Sequence, residues 1–233
     1  MHFAQIRLFL SVVLKNIMPS DNQTHIPMRK FLFAAMIMAV LSPAAAQAPS
    51  EALDAKVEAF LKKHKGGWHD LNVPYEDGKT LHDIVVNHKY TSALEIGTST
   101  GHSTIWLAWA MSKTGGKVTT LELNEERHKQ ALKNIEEAGL SKYVDARLGN
   151  AHDLVRQLPG PFDFVFSDAD KDWYKQYFID LDPKLKSGGC YTTHNVIDGQ
   201  ASDDYLNYVK NHAHYKTTID RSSRAGVMIS YKD

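Results

Sequence analysis

The 233-residue chain has a single cysteine, Cys190. An intramolecular disulfide framework and a zinc site built on several cysteines are therefore excluded. A charge surplus is missing too: lysine plus arginine and aspartate plus glutamate tie at 27 each. No basic excess points to nucleic acid. An apolar run long enough to span a bilayer is also lacking, since the stretch 31–41 holds 11 residues where about 20 are needed. Hydrophobic residues make up 43% and charged residues 23%, ordinary for a soluble globular chain and against disorder. The length suits one α/β domain or at most two small ones.

The first residues read as processing signals rather than fold. Arg29 and Lys30 precede the apolar run, and Ala44-Ala45-Ala46 supplies the small residues of a cleavage site. Cleavage after Ala48 would place Pro49 at the scissile bond, so cleavage after Ala46 is preferred. Residues 1–27 lie upstream of a second methionine, Met28, and read as an over-extended start, 28–46 reads as the signal peptide and 47–233 as the folded domain. An uncleaved amphipathic anchor is the alternative. The expectation is export to the periplasm or beyond if the signal is used, and a cytoplasmic location otherwise. Removing 1–46 takes away Arg7, Lys15, Arg29, Lys30 and Asp21, leaving 23 basic and 26 acidic residues, a net −3. A mildly acidic surface gains nothing near phosphate backbones or anionic lipid, so a small neutral or cationic ligand is expected.

Helical spacing at 51–65 rests on Leu53, Val57, Phe60 and Leu61. A second helix is predicted at 80–89. Strands and helices then alternate: strand 93–96, helix 103–113, strand 117–122, helix 125–138, strand 143–148, helix 151–158, strand 162–167, helix 172–185, strand 189–193 and helix 203–212. Two strands without a helix between them, 216–220 and 226–232, close the chain as a hairpin. Helix 125–138 places Ala131, Leu132, Ile135 and Ala138 on one face, and the aromatics Trp173, Tyr174, Tyr177 and Phe178 read as core packing. Cys190 falls in a buried strand and reads as core. Such alternation predicts a mostly parallel sheet with helices on both faces, one antiparallel strand, and ligands at the strands' carboxyl ends.

Four clusters fall at those ends. Glu95-Ile96-Gly97-Thr98-Ser99-Thr100-Gly101-His102-Ser103 runs from a strand into a helix, where glycines let backbone approach a ligand. Its spacing is E-x-G-x-x-x-G rather than G-x-G-x-x-G, which disfavours a nicotinamide cofactor. Glu122 ends the next strand, where a carboxylate can accept from both hydroxyls of a ribose. Ser167-Asp168-Ala169-Asp170-Lys171-Asp172 follows an apolar strand, with a solvated charged loop as the bland reading. His194-Asn195 ends the fifth strand. Beside Asp168 it completes an Asp/His/Asn set able to hold a divalent cation, although a His-Asn pair alone is more often a hydrogen-bonded loop.

In this combination the chain resembles the cation-dependent O-methyltransferases of the catechol and caffeoyl-coenzyme A type, from about Asn72 to Lys232. The resemblance implies a Rossmann-like class I methyltransferase fold with a seven-stranded sheet, S-adenosyl-L-methionine as methyl donor, and a divalent metal. It implies that the loop Asn72–Gly78 contacts the methionine part through backbone at Val73. Glu95, Gly97, Thr98 and Ser103 then form the binding turn, with Ser103 at the methionine carboxylate. Glu122 is the ribose acid, and Ala151 and His152 are the adenine edge. Asp168 becomes a metal ligand beside the cofactor, Asp170 a cofactor neighbour, Lys171 the general base, and His194 and Asn195 the other metal ligands.

The chain departs from the family at telling places. His194 stands where the family usually has aspartate. An Asp/His/Asn set carries one negative charge and an imidazole nitrogen, which suits Zn, Fe, Ni or Cu better than Mg²⁺. Weakened Mg²⁺ dependence and a transition metal are therefore expected, with Mg²⁺ still an option; in a second reading His194 has left the metal site and acts as a second base. His102 stands where a tyrosine is common. His69 and Asp170 stand at the positions of tryptophans that flank the catechol, with Trp68 and Trp173 one and three residues away. The short segment 198–204 favours a small catechol-type phenol over a coenzyme A ester. The partner expectations are that phenol, no nucleic acid, no stable membrane span and, as an option, a homodimer. An NAD-type oxidoreductase or a non-catalytic binding protein on a related fold remain alternatives here.

Overall fold

A computed structural model describes residues 49–68 and 71–233. The expectations for 1–27 and 28–46, and for His69, lie outside the described residues. The elements, in chain order, are α1 (Pro49–Lys63), α2 (Tyr75–His88), β1 (Ser92–Ile96), α3 (His102–Thr114), β2 (Lys117–Glu122), α4 (Glu125–Ala138) and β3 (Val144–Leu148). They continue with α5 (Ala151–Gln157), β4 (Phe162–Ser167), α6 (Tyr174–Leu181), β5 (Leu185–His194), α7 (Asp203–Lys210), β6 (Tyr215–Asp220) and β7 (Val227–Lys232). The strands form one seven-stranded sheet in the order β3-β2-β1-β4-β5-β7-β6. β7 runs antiparallel to both neighbours, and the β1–β5 ladders are parallel. That is the predicted mixed sheet with its single antiparallel strand.

Strand alternation sends side chains to two separate cores. Ala93, Phe164, Phe166 and Cys190 point into a layer with helices α1 to α4. Leu94, Ile96, Val165 and Tyr191 point into the opposite layer with α5, α6 and α7. A side chain as large as Phe164, with no exposed surface, contributes about 1.5–3 kcal/mol by leaving water. The central strands are apolar on both faces because both faces are covered.

Several boundaries differ from the sequence reading, each for a local reason. Helix α2 starts five residues earlier than expected, because Pro74 serves as its N-cap residue with φ −58 and ψ 159. Glu76 and Asp77 then occupy its acidic first turn. Strand β5 starts four residues early: between Phe162 and Phe164 the register jumps from Leu185 to Cys190, a bulge that carries Gly188 and Gly189. The helix expected at 172–185 is broken into the short 3-10 turn Lys171–Trp173, α6 and the turn Asp182–Lys184, which contains Pro183. In α4, Leu132 is 45% exposed rather than on the buried face. Asn134 takes that place and donates from Nδ2 to the Thr100 carbonyl at 2.8 Å. No helix among the described residues is long and apolar enough to cross a membrane.

Candidate active site

The chain reverses direction across the sheet between β1 and β4, because β1 has β2 on one side and β4 on the other. An open sheet forms its crevice at the carboxyl ends beside such a switch point. Here the strand register brings the chain ends level: Ile96 pairs Leu121 and Ser167, and Ser167 pairs Thr193. The residues that follow each strand therefore meet. Gly97 N donates to Leu121 O at 3.0 Å, and Asp168 N donates to Ile96 O at 2.9 Å. Gly97 has φ +100, and a Cβ there would stand 2.7 Å from the Asp168 carbonyl oxygen. Only glycine lets the turn lie this close to the β4 exit.

A cleft of about 410 Å³ opens above these ends. Its walls include Gly97, Glu122, Ala151, His152, Asp168, Asp170, Lys171, His194 and Asn195. Nine of the residues singled out from the sequence are thus brought to one cavity. Val73, Glu95, Thr98 and Ser103 do not line it and lie buried behind the glycine turn.

Glu122 sits at the end of β2, where each carboxylate oxygen accepts one backbone N–H: Ser99 N at 2.7 Å and Asn124 N at 2.8 Å. These bonds fix the carboxylate's plane and hold Ser99 at its positive φ of 48. At the start of α5, Asn150 caps the helix by accepting from His152 N at 3.0 Å. The His152 ring stacks on Trp173 at 3.5 Å between centroids, and its Nε2 lies 3.2 Å from Asp170 Oδ2. Trp173 therefore stacks on this histidine while also lying partly buried against the core, and Tyr174, Tyr177 and Phe178 are buried as expected. Asp170 also accepts from Asp172 N at 3.2 Å and so caps its own turn.

Behind the turn, Glu95 is fully buried. Its Oε2 accepts from Thr104 Oγ1 at 2.5 Å and Thr120 Oγ1 at 2.6 Å, and Thr120 also contacts Thr98 Oγ1 at 2.5 Å. Glu95 Oε1 has no hydrogen-bond partner. Burial pushes the carboxyl up to about 7, against the pull of the hydroxyl donors. His102 is also buried, and burial lowers its pKa to about 4. The neutral ring has one consistent tautomer: Nδ1–H donates to Val73 O at 2.8 Å, and Nε2 accepts from Trp106 Nε1 at 3.2 Å. Trp68 stacks on the same ring at 4.5 Å. Together with Asn72 Nδ2 donating to Thr100 Oγ1 at 2.8 Å, this pins the Asn72–Val73 segment onto the glycine turn.

The charged end of the cleft is a row of alternating signs. Lys171 Nζ donates to Asp168 Oδ1 at 2.5 Å, and His194 Nδ1 lies 3.2 Å from Asp168 Oδ2. His194 Nε2 lies 2.8 Å from Asp77 Oδ2 on α2. Burial opposes charge on His194, but Asp168 and Asp77 outweigh it and raise the imidazole to about 9. The two contacts differ in kind. The Nε2 contact is a formed hydrogen bond, whereas buried Nδ1 has no aligned hydrogen-bond partner despite its closeness to Asp168. Asn195, at φ 57, donates from Nδ2 to Asp198 Oδ2 at 2.8 Å, and its backbone carbonyl accepts from Ala201 N at 3.2 Å.

A family profile described as O-methyltransferase matches residues 44–222. The chain belongs to this O-methyltransferase family. It is an O-methyltransferase of the S-adenosylmethionine-dependent type, which decides against the NAD-type and non-catalytic alternatives. Over 156 residues it is 36% identical to a catechol O-methyltransferase of Niastella koreensis, spanning 65% of this chain and 70% of that protein. Over 138 residues it is 31% identical to caffeoyl-CoA O-methyltransferase 1 of Eucalyptus globulus, 57% of this chain and 56% of that protein. The alignment thus reaches just over half of the plant enzyme's length. The O-methyltransferase of Bacillus cereus solved in complex with SAH superposes with a TM-score of 0.66 at 27% identity, covering 87% of this chain and 97% of that one.

The sequence reading missed three residues that shape the O-methyltransferase site. Asp77 falls in what reads as a loop and carries no role there, Ser99 carries no role beside Glu122, and Trp173 reads as core packing alone, without its stacking on His152. The acidic first turn of α2 was a visible signal for Asp77. Nothing in the sequence spacing tied it to His194, 117 positions away.

Proposed function

We infer that the enzyme is a metal-dependent O-methyltransferase that moves a methyl group from S-adenosyl-L-methionine to one hydroxyl of a small catechol-type phenol. The observation that carries this reading is the convergence of Lys171, Asp168 and His194 at one end of a cleft whose other end is Glu122 and the His152–Asp170 edge. The likeness to a catechol O-methyltransferase supports the substrate class. The short segment 198–204 favours a small phenol over a coenzyme A ester.

The residues fit a divalent cation. His194 Nδ1 is buried without an aligned hydrogen bond, and its 3.2 Å separation from Asp168 Oδ2 suits two ligands of one ion. Asp168, His194 and the Asn195 side-chain Oδ1 would hold it, one carboxylate, one imidazole and one amide oxygen, a set that favours a transition metal over Mg²⁺. A bound divalent cation would supply Lewis acidity, lowering the pKa of a phenol hydroxyl from about 10. S-adenosylmethionine would supply an electrophilic methyl group.

The rest falls to the chain's own residues. Glu122, held rigid by two backbone donors, accepts from ribose hydroxyls. His152, stacked on Trp173 and steered by Asp170, borders the adenine. Lys171 Nζ, as the neutral amine, takes the phenol proton; this nitrogen lies 5.2 Å from the Tyr174 ring centroid. The glycine turn and the β4 exit hold donor and acceptor at contact distance, so the transfer needs no covalent enzyme intermediate. The domain 47–233 would act after export, on the strength of the signal at 28–46.

Incubation with S-adenosylmethionine and 3,4-dihydroxybenzoate, followed by mass spectrometry, tests the reading. A mono-methylated product supports it. Transfer only to a coenzyme A thioester would move the substrate class.

A further inference from the structure

Asp77 is a buried carboxylate beside the site, 1% exposed, and nothing in the reaction as described uses it. Its Oδ2 meets His194 Nε2 at 2.8 Å and accepts from Ser223 Oγ at 2.8 Å, while Oδ1 has no partner. A buried carboxylate with one unsatisfied oxygen costs stability, so its retention calls for a reason. It cannot withdraw easily. The next residue, Gly78, lies so tightly on α3 that a Cβ would stand 2.2 Å from the Trp106 ring. On the other side, Ser223 belongs to the β6–β7 hairpin, where Gly226 N donates to the same hydroxyl at 3.1 Å.

With Nε2 bound to Asp77, the only His194 ring nitrogen turned toward the cleft is Nδ1, the atom without an aligned partner. We propose that Asp77 is a positioning residue that fixes the His194 ring orientation and tautomer, Nε2–H donating to Asp77, so that Nδ1 presents its lone pair beside Asp168 to a nitrogen-accepting transition metal. A carboxylate behind a ligating imidazole holds the ring and strengthens its donor power, and losing such a partner weakens metal affinity about 10- to 100-fold. Asp77 thereby makes imidazole a competent ligand where an ion-pairing histidine alone would offer Asp168 only a proton. The inference rests on the metal-dependent reading above.

The test is a Co²⁺ titration of the chelator-stripped full chain, followed by visible absorption, for wild type, Asp77→Asn, Ser223→Ala and His194→Ala. S-adenosylhomocysteine affinity and thermal midpoint are measured alongside. Wild type is expected to bind one Co²⁺ and His194→Ala to bind it far more weakly. Asp77→Asn should lose about 10- to 100-fold in Co²⁺ affinity with S-adenosylhomocysteine binding within twofold. Ser223→Ala, which removes a donor to the same oxygen, should lose about two- to tenfold. In Zn²⁺-loaded protein with ¹⁵N-labelled histidine, the His194 signal should report a coordinated Nδ1 and a protonated Nε2. A purely structural ion pair would lower the thermal midpoint of Asp77→Asn and leave Co²⁺ affinity unchanged, which overturns the proposal alone. If wild type binds no Co²⁺, or His194→Ala binds it equally well, the metal reading fails and takes the proposal with it. If Asp77→Asn does not fold, Ser223→Ala decides, and unchanged Co²⁺ affinity in that variant overturns the assignment.

Discussion

Replacing Glu95 with glutamine should remove a specific pH dependence of stability. Glu95 has no exposed surface and one oxygen without a partner, and burial raises its carboxyl from an ordinary value of 4.5 to about 7. A raised acid binds more proton in the folded than in the unfolded state across that interval. Stability from this group is therefore full below about pH 4.5 and is lost as pH rises through 7. At 1.36 kcal/mol for each pH unit, the loss is about 3 kcal/mol. Two histidines titrate nearby with their own signs. His102, lowered to about 4, costs stability as pH falls from 6.5 toward 4. His194, raised to about 9, costs stability as pH rises from 6.5 toward 9. The wild-type profile mixes all three, so the informative quantity is the difference between wild type and Glu95→Gln. A glutamine oxygen still accepts from Thr104 and Thr120 but carries no charge. Urea unfolding followed by circular dichroism at pH 5 and pH 8 should show the variant gaining about 2.5 kcal/mol on wild type between the two. Parallel curves at both pH values would refute the claim that a buried charge, rather than a neutral acid, sits under the turn at high pH.

Lys171→Ala should cut turnover about 10²- to 10⁴-fold while S-adenosylhomocysteine affinity, read by calorimetry, stays near wild type; equal loss of both would reject its role as base. Glu122→Ala leaves the Ser99 and Asn124 amides without their acceptor, costing about 1–3 kcal/mol each together with cofactor affinity, and thermal melts with and without S-adenosylhomocysteine separate the two losses. Gly97→Ala, at φ +100 with the Asp168 carbonyl in the way, should destabilise by about 1–3 kcal/mol and abolish cofactor binding; a variant that still binds would show that the turn can relax. N-terminal sequencing of protein recovered outside the cytoplasm should begin at Gln47; a start at Met1 or Met28 would refute the cleavage, and recovery of the protein from the cytoplasm alone would refute the export.

Most of the fold was legible because its signals are local. An aromatic, apolar run marks β4, short β-prone stretches ending in turn glycines or caps mark β1 and β2, and a capping asparagine with a closing glycine marks α4 at Asn124 and Gly139. Signals failed where tertiary contact overrides the local pattern. Leu132 has helical spacing to the core, yet Asn134 occupies the buried position because the Thr100 carbonyl needs a donor. The β5 bulge is set by packing against β4 and is invisible in a Gly-Gly pair that reads equally well as a turn. At the site, strand ends announced Glu122, Asp168, Lys171 and His194, since topology alone gathers them. The layer beneath was not announced. Nothing in the spacing of Asp77, Ser223 and His194 says that a helix, a hairpin and a strand end meet there. The tautomer of His102 follows partly from Trp106, one helical turn on in α3, but its other partner, the Val73 carbonyl, is brought in only by the fold.

The central claim, catechol methylation that depends on a transition metal held by Asp168, His194 and Asn195, is tested most directly by restoring metals one at a time. The chelator-treated enzyme is given S-adenosylmethionine and 3,4-dihydroxybenzoate with Mg²⁺, Mn²⁺, Fe²⁺, Ni²⁺ or Zn²⁺, and product is counted by mass spectrometry. Product that disappears with chelator and returns best with Fe²⁺, Ni²⁺ or Zn²⁺ is the predicted result. Full activity in the presence of chelator, or recovery best with Mg²⁺, would contradict it.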